Sequence, residues 1–386
     1  MDMEMEESEV PITCSVPLFS QISSSKNHSV RNTVHTTFGY DYIFKIVSSP
    51  GTQSLALSLS TNVIKLYSSV TSQYLGECIG HCDSINDIIF MASGNVICSC
   101  STDGTVRAWD ARDFKEIFVL KQPKEIYSFC IGGSSNNLLA AGCGSEILFW
   151  DLRERKQVSC LEESHFDDVT QVQFAPNQSN MLLSSSVDGL ICLYDINSNG
   201  CINDDENLES VMNVGTSVSK FGFFGQTNQK LWCLTQIETM SIWDWQNGRK
   251  EIDLEEARSE ASKCWNLDQI NYFVDCIYSG EDDRLFLIGG TNDGALGYFP
   301  VSSVGSDNIG SAEAILDGGH TGIVRSILPG SQESKGVFAW SGGEDARLCC
   351  WLSASVDDAL EEKRGSWISN RLAMRSSKFS NRHQPY

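Results

Sequence analysis

Residues 103–110 read DGTVRAWD and residues 188–195 read DGLICLYD, and the two stretches superpose without a gap. Each is a tight Asp-Gly turn followed by a strand of alternating character that ends in an aromatic residue six positions after the turn aspartate. The same template, more loosely kept, ends at Tyr67, Trp150, Trp243, Phe299 and Trp351, which with Trp109 and Tyr194 makes seven copies. The aromatics are spaced by 42, 41, 44, 49, 56 and 52 residues. A unit this short cannot bury its own apolar faces, so the copies have to stack on one another into one continuous core. Within each unit, runs such as 85–90, 96–101 and 105–109 alternate and are bounded by Gly, Ser, Asn and Asp, so each unit reads as several short strands. Although 386 residues would accommodate two or three average domains, the repeat predicts one all-β domain. Only 254–265 has a helical look, and Glu255, Glu256 and Glu260 place it in a solvated insertion.

The order Gly80-His81, Asp103, Trp109-Asp110 resembles the WD-repeat family, and the matching pattern covers most of residues 38–352. The resemblance implies a seven-bladed WD-repeat β-propeller over residues 16–357. Its repeats would fall at about 38–80, 81–122, 123–164, 165–212, 213–266, 267–318 and 319–357, with an acidic N-terminus (1–15) before them and a charged tail (358–386) after them. An open ring would leave strand edges exposed, and the last repeat runs out of strand after Leu352. The outermost strand of blade seven is therefore expected from residues 16–37, so that an N-terminal strand closes the ring. Within the family, the degenerate first repeat, the tandem WDAR and WDLR, the late insertions and the basic ending are most similar to the subgroup of WD repeat-containing protein 89 and its plant relatives of the GIGANTUS type.

In a complete repeat the resemblance further implies a hydrogen-bonded tetrad of His, Ser or Thr, Asp and Trp, which satisfies polar groups buried at the tight turns. Blade two has His81, Ser99 or Ser101, Asp103 and Trp109. Blade four has His165, Ser184 or Ser186, and Asp188, with Tyr194 in place of Trp. Blade seven has His320, Ser341, Asp345 and Trp351. Thr61 and Tyr67 in blade one, Gly144 in blade three, Ile237 in blade five, and Phe299 with Pro300 in blade six, where Asp293 is kept, depart from the pattern. Those four blades are expected to be held by packing alone.

No catalytic chemistry is expected. The sequence has no GxxxxGK, GxGxxG, HExxH or GxSxG. Cys78, His81 and Cys82 lie close together but lack a second ligand pair, and His81 already belongs to the tetrad, so neither metal nor cofactor is expected. Glu281, Asp282 and Asp283 read as a charged turn. The fifteen cysteines are expected as free thiols in the core. With no basic n-region before an apolar stretch and no long apolar run, an intracellular protein of cytoplasm or nucleus is expected, with no membrane contact.

Partners are therefore expected to be proteins. The net charge is −22, and because residues 363–386 carry six Lys or Arg and no acid, residues 1–362 hold −28. Such a field repels nucleic acid, except at the basic tail, and favours basic or lysine-rich partners. Trp109-Asp110-Ala111-Arg112 and Trp150-Asp151-Leu152-Arg153 both read WDxR. This resembles the box of WD-repeat proteins that dock on damaged-DNA-binding protein one and serve as substrate receptors of cullin-four ubiquitin ligases. Arg112 and Arg153 would offer planar forks on the face away from His81, or simply pair with nearby acids such as Asp110 and Asp151. The competing reading is an assembly scaffold, in ribosome biogenesis or a nuclear complex, working as a monomer within larger assemblies.

Overall fold

The computed structural model describes residues 26–36, 40–133, 135–196, 202–265, 269–302, 308–330 and 336–353. The expected ends at 1–15 and 358–386 lie outside the described residues.

Five blades are separate antiparallel four-stranded sheets, spanning 43–79, 85–121, 126–161, 169–213 and 218–254. Blades six (272–316) and seven (324–352) are joined into one eight-stranded sheet by the strand Lys26–His35. From Ser29 to His35 this strand runs antiparallel on Arg347–Leu352 and completes blade seven, as expected for closure. Its first three residues then pair in parallel with Ala314–Leu316, so the same strand also lies against the outside of blade six. His28 secures the crossover: its Nδ1 donates to the Leu352 carbonyl at 2.8 Å and its ring stacks 3.8 Å from that of Phe338.

The middle strands of each blade, such as Ser54–Leu59 and Val96–Ser101, are buried on both faces, because successive side chains point to opposite sides and each side packs against a neighbouring blade. In every blade the pairing register of the innermost strand shifts near its start, at Ile43/Lys45, Ile85/Asp87, Ile126/Ser128, Val169/Gln171, Val218/Lys220, Phe273/Asp275 and Val324/Ser326. A bulge re-aims the side chains around it, and here they cross the seams. Lys45 pairs with Asp87 across the first seam, and Asn86 donates to the Ile126 carbonyl across the second. Ser128 accepts from the Val172 amide, and Gln171 both donates to and accepts from the Phe221 backbone. Lys220 donates to the Val274 carbonyl, the Tyr272 hydroxyl accepts from the Val324 amide, and Ser326 accepts from the Ile46 amide. All seven seams thus carry a directional link beside their apolar packing, which fixes the order and tilt of the blades.

The insertion after blade five departs from the expected solvated loop. Ala257–Trp265 is a helix that buries Ala257, Ala261 and Trp265, while Glu255 and Glu256 stay exposed. The Trp265 ring meets Phe299 edge-on at 5.6 Å. The spacing of four between the buried positions puts them on one helix face, a pattern that the glutamates masked.

Candidate protein-binding faces

In blade two, His81 Nδ1 lies 2.9 Å from Asp103 Oδ2 and its Nε2 lies 2.7 Å from Ser99 Oγ, while Trp109 Nε1 donates to that hydroxyl at 2.9 Å. A carboxylate only accepts, so Nδ1 carries the proton, Nε2 accepts from Ser99, and the imidazole is neutral. Burial, which outweighs the attraction of Asp103, lowers the His81 pKa in agreement with this. For Asp103, burial opposes ionisation, but bonds from the Thr105 hydroxyl, the Cys82 amide and His81 prevail and bring its pKa to about 2.

Of the two serines that the sequence leaves open, Ser99 occupies the tetrad. Ser101 donates instead to the Asp83 carbonyl and accepts from the Asp103 amide. Blade four repeats the choice. Ser184 meets His165 at 2.7 Å, Asp188 holds its Nδ1 at 3.0 Å, and Ser186 bonds within the turn. Tyr194, buried at the aromatic position, stands where blade two has tryptophan. In blade seven His320 lies 3.0 Å from Asp345 and 2.7 Å from Ser341, to which Trp351 donates at 2.7 Å.

Packing alone does not hold blades one and five, contrary to expectation. Trp243 of blade five donates to Ser241 at 2.8 Å, and the Thr235 and Thr239 hydroxyls close its turn at 2.7 Å. Lys65 of blade one donates to the Thr36 carbonyl at 2.6 Å. Blade six comes closest to an apolar substitute. Gly289 takes the register position of Ser99, and a Cβ there would sit 3.1 Å from Ile270 and 3.2 Å from Phe299.

Each tetrad aspartate also accepts from the backbone amide of the residue after the histidine: Cys82, Phe166 and Thr321, at 3.0, 3.0 and 2.8 Å. The carboxylate therefore pins the loop and turns the next side chain outward. Phe166, next to His165, is 93% exposed. At the same end of the blades Tyr40 is 85% and Ile237 62% exposed, among the exposed acids Asp83, Glu125, Asp167 and Asp317. Sequence reasoning missed Phe166 and read Ile237 only as a departure from the repeat pattern. The available signal was a large apolar residue between His165 and Asp167, in a turn where small polar residues are usual.

The WDxR boxes lie at the opposite end of their strands and are not equivalent. Arg112 closes its fork on its own Asp110, with Nε to Oδ1 at 2.9 Å and Nη2 to Oδ2 at 2.6 Å, and the bonds from Arg112 bring the Asp110 pKa to about 2. Arg153 bonds Asp151 through its backbone amide at 2.7 Å, and its side chain is exposed. At the tetrad end, Cys78 is buried and its thiol is pushed up to about 12 by burial, while both His81 ring nitrogens are occupied. Among the described residues no group of three His, Cys, Asp or Glu is placed to hold a metal ion, and no helix is long and apolar enough to cross a membrane.

The family model "WD domain, G-beta repeat" matches residues 72–110 and 155–195, which contain the His–Ser–Asp sets of blades two and four. The chain is 52% identical over 378 residues to WD repeat-containing protein GTS1 of Arabidopsis thaliana, with 95% of each chain covered. It belongs to the WD-repeat family. This WD-repeat protein is also 31% identical over 340 residues to the WD repeat-containing protein 89 homolog of Dictyostelium discoideum, covering 87% of the chain and 90% of that relative. A third WD repeat-containing protein, from Schizosaccharomyces pombe, is 24% identical over 69% of the chain and 80% of its own length. The subgroup expected from the degenerate first repeat and the basic ending is thus the one its relatives represent. A WD-repeat ring is generally scaffold-like, with rigid blades presenting variable loops.

Proposed function

We propose that this protein is a non-enzymatic scaffold that gathers proteins into larger assemblies, and that it receives basic or lysine-rich segments on the face bearing the tetrads. The observation that carries this reading is the exposed Phe166, held out by the Asp188 carboxylate, among the acids of that end. An aromatic face beside carboxylates suits lysine and arginine through cation–π attraction and ion pairing. An assembly role in ribosome biogenesis or a nuclear complex is the form of this reading that lysine-rich partners favour.

The exposed Arg153 supports a second reading, as a substrate receptor of a cullin-four ubiquitin ligase. On that reading Arg112 has to leave Asp110 to engage the adaptor. Affinity purification with mass spectrometry on the wild type, a Phe166→Ala/Ile237→Ala pair and an Arg112→Ala/Arg153→Ala pair separates the two. Loss of partners from the first pair alone supports the tetrad face, and loss of the cullin-four adaptor from the second alone supports the receptor. Retention of every partner by both pairs overturns both readings.

A further inference from the structure

Five residues after the recurring aromatic, the turn between the third and outermost strands holds a left-handed residue: Ser72, Phe114, Arg155 and Gly248, with φ of 57°, 61°, 55° and 61°. In blades two and three this residue plugs the groove against the outer strand of the preceding blade. The Phe114 ring covers Gly76, where a Cβ would lie 2.2 Å from it. The Arg155 guanidinium sits 5.2 Å over the ring of Phe118, which holds the register position of Gly76 one blade on. Blade one has only Ser72 here, and beside it a cavity of about 360 Å³ opens between its outer strand and the closing strand Lys26–His35.

The slot is lined by two tyrosines and two charged residues, with Val34, His35, Thr36 and Ser72 completing the wall. Tyr67 and Tyr74 meet edge-on at 5.7 Å, and Glu77 adds a carboxylate. Lys65 also lines it, but its ammonium is engaged by the Thr36 carbonyl at 2.6 Å and lies 4.0 Å from Asp41. A planar cation would stack on Tyr74 and face Glu77, as Arg155 stacks on Phe118 two seams away.

We propose that the slot is filled by an arginine from the chain's own basic segment, residues 363–386. That segment carries Arg364, Arg371, Arg375 and Arg382 and no acid, against a net −28 over residues 1–362. The last described residues before it lie close by. Leu352 pairs with Ser29, five residues along the closing strand from Val34 in the slot wall, or about 17 Å. The eleven residue-to-residue steps from Ser353 to Arg364 span roughly 35 Å when extended, more than enough.

The test uses the full chain and follows trypsin cleavage after each of these arginines by mass spectrometry, in the wild type, Ser72→Phe and Glu77→Gln. Ser72→Phe plugs the slot as Phe114 plugs the next one, at a φ that Phe114 already adopts. The expected result is one arginine protected in the wild type and cleaved about tenfold faster in both variants, because cleavage follows the undocked fraction. Should Ser72→Phe fail to fold, Glu77→Gln on the rim decides alone. Equal cleavage of all four arginines in the folded variants and the wild type overturns the proposal and leaves the slot to a partner's side chain.

Discussion

Ser99 is the one hydroxyl that both Trp109 and His81 use, so Ser99→Ala strands an indole N–H and an imidazole nitrogen in a buried site. The expected loss is about 1–3 kcal/mol, read from a denaturant midpoint with an unchanged slope. Ser101→Ala, in the neighbouring turn, keeps the tetrad and costs less. The histidines also set a pH dependence. Burial lowers the pKa of His81 and His165 below the ordinary value near 6.5, so the unfolded chain takes up protons there first. Stability is full above that value and falls as the pH drops through it. Asp103, with a folded pKa of about 2 against 3.8, adds stability that is lost only below the ordinary carboxylate range. Melting temperatures between about pH 8 and pH 5 should therefore decline on the acid side, and a flat profile would contradict the neutral histidines.

Two elements carry more than their sequences suggest. The closing strand bonds blade seven along most of its length and blade six through its first three residues. Val30 lies opposite Trp351 on that ladder. Val30→Pro removes a backbone donor there, and a loss of roughly 2–4 kcal/mol in the denaturation midpoint is expected if closure holds the ring together. The helix Ala257–Trp265 supplies blade six with the bulk that blades two, four and seven draw from a tetrad. Trp265→Ala is expected to cost roughly 3 kcal/mol or more, whereas Glu255→Ala, exposed just before the helix, leaves stability nearly unchanged. The closing strand was legible because the last repeat lacks its fourth strand. Its reach onto blade six was not, since Lys26–His28 meet a strand nearly 290 residues away.

At the scale of the whole molecule, the −28 of residues 1–362 draws basic partners from a distance. Association with a lysine-rich peptide should slow several-fold between about 0.05 M and 0.5 M salt, while dissociation changes less. Salt-independent association in stopped-flow would remove electrostatic steering from the proposed function. Repeat number, blade order, the tetrad histidines and aspartates, and closure from the N-terminal side were determined by the sequence alone, because each depends on local spacing and on the rule that exposed strand edges must be covered. Only the tertiary structure decided between Ser99 and Ser101, folded Arg112 onto Asp110 while leaving Arg153 exposed, and opened a slot beside Ser72. These depend on which side chains meet across a seam or turn, and that geometry exists only once seven blades have closed on one another.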